Sequence, residues 1–68
     1  MHEFFEEERF RCEVRHVLRL RSRDRNSALE YLSAVRKRRG DVAADKLEKD
    51  VRAQWSAGNR GVLGDWHE

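Results

Sequence analysis

Phe10, Val14, Val17 and Leu18 stand at i, i+4, i+7 and i+8. That interval brings apolar side chains back to one face of an α-helix, and strand alternation does not fit it. The stretch that carries the pattern, RFRCEVRHVLRLRSRDR over 9–25, has the densest apolar spacing in the chain and seven arginines. Any fold has to bury this stripe. Glu6, Glu7 and Glu8 precede it, where carboxylates favour the positive end of a helix dipole. The first helix is therefore expected over about 3–21. Ser22-Arg23-Asp24 suits a turn, and Arg21 would return to the apolar stripe if the helix ran on.

Two shorter helices follow. Asp24, Asn26 and Ser27 are all N-cap types, and Ser27-Ala28-Leu29-Glu30 has capping-box spacing. Ala28, Tyr31, Leu32 and Val35 then repeat at helical spacing beside Leu29, and Gly40 is a C-terminal stop after Arg36-Lys37-Arg38-Arg39. Ala44, Leu47, Val51 and Trp55 form a third stripe, with Asp45–Lys49 and Glu48–Arg52 as i, i+4 pairs. The spacing predicts helices near 25–39 and 42–57. The remainder, 58–68, has no helical period but contains Val62, Leu63 and Trp66, and is expected to dock. The expected fold is all-α: a small three-helix arrangement with a long helix 1, helices 2 and 3 as an αα-hairpin, and an irregular C-terminal tail. The expected core is Phe10, Val14, Val17, Leu18, Leu29, Leu32, Val35, Leu47, Val51 and Trp55.

A chain of 68 residues makes a single domain, 1–68, whose core supplies only a few kcal/mol, on the order of 3–5. With no Pro, four Gly and 41% charged residues, it favours helices with short connections. Its mean hydropathy is −0.99, yet the apolar residues keep helical spacing, which argues against disorder. No run approaches the roughly 20 apolar residues of a membrane span, and no signal-peptide pattern opens the chain. One Cys excludes an internal disulfide and suits a reducing, cytoplasmic setting.

Charge is unevenly spread. Residues 1–8 carry four Glu and no Lys or Arg. Residues 9–39 carry eleven basic and three acidic residues, and residues 40–68 carry four basic and six acidic. Arg11, Arg15 and Arg19 repeat along one side of helix 1, where their stems can cover apolar surface. With Arg23, Arg36, Lys37, Arg38 and Arg39 they form the candidate nucleic-acid contact. A helix-turn-helix drawn from helices 2 and 3 is disfavoured, because 42–57 carries three acids and three bases.

Phe5, Cys12 and His16, with Leu20, form a second row on the far side of helix 1. Something is expected to cover it: the tail through Val62, Leu63 and Trp66, or a second copy of the chain in a two-fold dimer. Cys12 and His16 are four apart, a spacing metals use, but a structural zinc site needs four ligands and none is assigned. Nor does the pair have a third orienting group or an oxyanion element, so no catalytic residue and no cofactor are assigned.

RCEVRHVLRLR at 11–21, RRGDVAADKL at 38–47 and QWSAGNRGVLGDW at 54–66 together resemble small uncharacterised proteins encoded in bacteriophages and prophages of GC-rich bacteria. The resemblance covers most of the chain. It implies a cytoplasmic accessory protein in a bacterial host cell, one that binds another protein and changes its activity. The expected function is therefore that of a small non-catalytic protein–protein interaction module. The alternative is a weakly sequence-specific nucleic-acid-binding protein using an Arg-rich face of helices 1 and 2.

Overall fold

The computed structural model describes residues 2–62 and 64–67, with side chains from residue 7 onward. The expected interface residues Phe5 (its side chain) and Leu63 lie outside the described residues. Three helices follow in chain order: α1 (His2–Arg23), α2 (Arg25–Arg39) and α3 (Asp41–Ser56). Each packs on both others. The body measures 30 × 27 × 14 Å between Cα atoms. Fourteen ångströms is what two helices of roughly 2.3 Å Cα radius give when packed about 9 Å apart, so the domain is two helices deep.

Single residues join the helices. The expected turn at 22–24 shrinks to Asp24, and α1 runs on to Arg23. The reason is local: the Asp24 N–H donates to the Leu20 carbonyl at 2.7 Å, which keeps helical hydrogen bonding going to the last turn. Asp24 itself is extended, and its carboxylate accepts from the Asn26 N–H at 3.1 Å and the Ser27 hydroxyl at 3.2 Å. Asp24 is thus the N-cap of α2, with Ser27 held as its donor. Gly40 closes α2 by donating to the Arg36 carbonyl at 3.0 Å and opens α3 by accepting from the Ala44 N–H at 3.2 Å. Its φ of 90° lets one residue serve both helices.

The core is Val14, Val17 and Leu18 from α1, Ala28 and Val35 from α2, and Ala44, Leu47 and Val51 from α3. The two alanines let the helices approach closely. Phe10, Leu20, Tyr31, Leu32, Trp55 and Trp66 pack around this cluster, half-buried. Two corrections to the expected core follow. Leu29 is 51% exposed, because Ala28, one residue away, takes the inward position on α2. Phe10, Leu32 and Trp55 line the edge of the core and are not at its centre.

α3 ends in a Schellman turn. The Gly58 N–H donates to the Trp55 carbonyl at 3.0 Å and the Asn59 N–H to the Gln54 carbonyl at 2.8 Å. This reverses the chain and sends the tail back over α3 and α1. The tail docks, as the sequence suggests, and of the expected anchors Trp66 packs against the core while Val62 does not. Val62 is 59% exposed, while Asn59 is fully buried. The Asn59 side-chain amide donates to Gln54 Oε1 at 2.9 Å, and Asn59 Oδ1 accepts from the Gly61 N–H at 2.8 Å. The Gln54 amide then grips the main chain of His67, donating to its carbonyl at 2.6 Å and accepting from its N–H at 2.9 Å. No buried side-chain polar atom among the described residues lacks a partner. Gly61 lies flat on α1: a Cβ there would come 2.6 Å from the Arg15 carbonyl oxygen and 2.8 Å from the Arg19 nitrogen.

Leu18→Ala is expected to cost about 2–5 kcal/mol, and Leu29→Ala to stay within about 0.5 kcal/mol of wild type; urea unfolding of both variants checks the order. Gly61→Ala places a Cβ against helix backbone that cannot move aside. It is expected to release the tail, seen as fast amide hydrogen exchange at Asn59 and His67 while the amides of the helices remain protected.

Candidate interaction surfaces

Most of the arginines that the sequence offers to a phosphate backbone are already engaged within the chain. On α1, Arg11 pairs with Glu7 at 3.2 Å and stacks on Trp66 with 5.1 Å between the guanidinium carbon and the ring centre. Arg15, its side chain only 12% exposed, pairs with Glu8 at 3.6 Å and donates to Cys12 Sγ at 3.1 Å. Arg19 donates to the Gly61 carbonyl at 2.9 Å. The described part of the tail therefore packs against the arginine row of α1 and leaves Cys12 and His16 open. Of the two covers expected for the second row, the tail or a second copy, the described part of the tail is not one: Cys12 and His16 are exposed, and the His16 ring meets the edge of Tyr31 at 5.1 Å. Neither joins a group of three or more His, Cys, Asp or Glu side chains suited to a metal ion, among the described residues.

On α2, Arg36 bridges to the first two turns of α3, donating to Asp41 Oδ1 and Asp45 Oδ1 at 2.7 Å each. This takes Asp45 away from the Lys49 pairing expected from spacing; Glu48–Arg52 forms as expected, at 3.1 Å. Arg39 reaches across to α1. Its Nη1 donates to Glu13 Oε1 at 2.9 Å and its Nη2 to Glu13 Oε2. The Tyr31 hydroxyl donates to the same Oε2 at 2.6 Å. These Arg39 bonds hold the Glu13 carboxyl below its ordinary value, against the opposing effect of burial. Burial first, and the Glu13 hydrogen bond second, push the Tyr31 hydroxyl up. Of the eight candidate nucleic-acid contacts, Arg23, Lys37 and Arg38 are exposed and form no ion pair among the described residues.

Two features were not visible as sites in the sequence. The first is Trp55, which has Arg21 over its ring at 4.4 Å and Arg60 over it at 3.8 Å. Arg21 does return to the apolar stripe, as its position predicts, and the indole is what satisfies it there. The second is a groove where the end of α1 meets α2 and α3. Leu29 stands half out of it above Leu32, Val17 and Val51 form its base, and Arg21, Arg25 and Arg52 surround it. The signal for the groove was present: Leu29 is a leucine beside an alanine on a helical stripe, and only the alanine fits inward.

A family model matches residues 5–58. The chain belongs to DUF7696, a family of unknown function. No curated protein and no solved structure matches it. The DUF7696 span takes in the three helices from residue 5, the Glu13–Tyr31–Arg39 cluster and the whole groove. It stops at Gly58, so Asn59, Arg60, Gly61 and Trp66, which seat the tail, lie beyond it. No helix among the described residues of this DUF7696 member is long and apolar enough to cross a membrane.

The depressed Glu13 carboxyl gives a signed pH prediction. A group whose pKa is lower folded than unfolded adds stability above its unfolded value, here near the ordinary 4.5. That stability is lost as pH falls through the folded value. Glu13→Gln is expected to be less stable than wild type at pH 7, with the gap closing as pH drops below 4.5. Thermal midpoints of both proteins measured from neutral to acid pH check this; a gap that stays constant contradicts it.

Proposed function

We propose that this protein is a small non-catalytic protein–protein interaction module, a regulatory or accessory protein that acts by binding another protein. The observation that carries the reading is the groove around Leu29. A half-exposed leucine over an apolar base is surface that a partner's apolar side chain can cover and dry. The rim of Arg21, Arg25 and Arg52, offset by Glu48 alone, favours a partner whose apolar anchors are flanked by carboxylates. The resemblance to bacteriophage and prophage proteins supports the accessory role. An exposed free thiol at Cys12 suits a reducing compartment such as the cytoplasm.

Two further readings each have an observation behind them. Arg23, Lys37 and Arg38 are exposed and form no ion pair among the described residues, which supports sequence-independent contact with nucleic-acid phosphates. Self-association is supported by the charge map. Residues 3–8 hold four Glu, and Arg21 lies roughly 23 Å further along α1 from Glu6. In a two-fold pair with antiparallel α1 helices, the acidic start of one reaches the arginine-rich end of the other.

Capture experiments from cell lysate separate these readings. Leu29→Glu and Arg25→Glu are expected to abolish capture of a protein partner at unchanged thermal midpoint, while a Lys37→Glu/Arg38→Glu variant retains it. If capture survives Leu29→Glu, the groove is not the docking surface. If it needs Lys37 and Arg38, yields nucleic acid and fades steeply with salt, the nucleic-acid reading replaces this one.

A further inference from the structure

A second concavity lies where the last two turns of α1 meet the docked tail. It is lined by His16, Arg19, Leu20, Ser22, Arg23 and Arg60. The α1 residues that line it alternate with Val17 and Arg21 of the groove, so it opens on the other side of that helix. Three arginines, one serine and one histidine line it, with no carboxylate among the described residues. Five other arginines are met by acids: Arg11 by Glu7, Arg15 by Glu8, Arg36 by Asp41 and Asp45, Arg39 by Glu13, Arg52 by Glu48. Among the described residues, none of the three arginines that line this concavity has an acidic partner.

Two of the three guanidinium groups are also held in place. Arg19 is tied through Nη1 to the Gly61 carbonyl. Arg60 is tied through Nη1 to the carbonyls of Trp55, at 2.8 Å, and Asn59, at 3.2 Å, while its plane lies over the Trp55 ring. Each keeps its Nη2 for another acceptor. Arg23, in the last turn of α1, makes no ion pair among the described residues. A side chain fixed by one edge loses less freedom when the other edge takes a ligand.

We propose that this concavity binds a phosphate group, taken as inorganic phosphate or as the terminal phosphate of a small phosphomonoester. The number of donors selects the ligand class. One carboxylate is satisfied by one guanidinium fork, whereas a phosphate dianion presents enough oxygens and charge for several. The C-terminal end of α1 opposes an anion with only about half a negative charge, which three guanidinium charges outweigh. Arg60 belongs to the tail and Arg19 holds the tail, so the site exists only while the tail is docked, and occupancy favours the docked state. The inference is independent of the groove around Leu29 and of any partner bound there.

The test titrates the full chain with sodium phosphate, with sodium chloride at equal ionic strength as the control. It reads the thermal midpoint and tryptophan fluorescence, since Trp55 lies against Arg60. Phosphate is expected to raise the midpoint beyond chloride and to change the fluorescence saturably. Arg23→Gln removes a side chain that holds nothing else together and is expected to weaken the apparent affinity roughly tenfold; Lys37→Gln leaves it unchanged. Glycerol phosphate in a parallel arm decides the source: tighter binding than inorganic phosphate assigns a monoester, and weaker binding assigns the free ion. The proposal is overturned if phosphate does no more than chloride, or if Arg23→Gln titrates like wild type. It is equally overturned if a short single-stranded oligonucleotide binds through Arg23 more tightly than either small ligand, since the phosphodiester backbone is then the ligand.

Discussion

Cations laid against aromatic rings close this fold. The buried aliphatic cluster is small, and a body two helices deep leaves its edges near solvent. Those edges are Phe10, Trp55 and Trp66, and each has a cation over its face: Lys46, the Arg21–Arg60 pair, and Arg11. The long stems of these residues extend the apolar surface outward, and their charged ends stay wet. An arginine content that could be taken as a phosphate-binding surface is in large part construction material. The same arrangement joins the tail to the helices, because Arg60 reaches Trp55 from the tail and Arg11 reaches Trp66 from α1.

Much of the architecture was legible in the spacing of apolar residues. Three stripes gave three helices, and Gly40 marked the end of the second. What spacing left open was decided by hydrogen bonds too local or too distant to read. Asp24, Asn26 and Ser27 are all N-cap types, and only the extended geometry of Asp24 selects it. The tail's docking could be inferred from its apolar residues, but its seat could not. Asn59 and Gln54 are polar, and nothing in their order along the chain says that one is fully buried against the other. Leu29 shows the limit of a stripe. A helical wheel places it at the margin of the core, and the choice between inside and outside rests on how near α2 comes to its neighbours.

The candidate surfaces were legible to a different degree. The basic residues were correctly grouped by sequence, but their availability was not, since Glu13 and Asp45 capture Arg39 and Arg36 across helix boundaries. Cys12 and His16 do share an open face, and none of the described tail residues covers them. The family match ends where the Schellman turn reverses the chain. The helical frame and the groove therefore fall within the DUF7696 span, and the segment that seats on α1 falls outside it.

The one-residue connections at Asp24 and Gly40 have a consequence for how the molecule can move. A hinge needs several backbone torsions that are not already committed. Here one joint is held by a carboxylate accepting two hydrogen bonds, and the other by a glycine bonded on both sides. The three helices cannot swing relative to one another without breaking a cap. Adaptation to a ligand is then left to side-chain rotamers and to the tail, which can lift from α1 as a flap while the frame beneath keeps its shape.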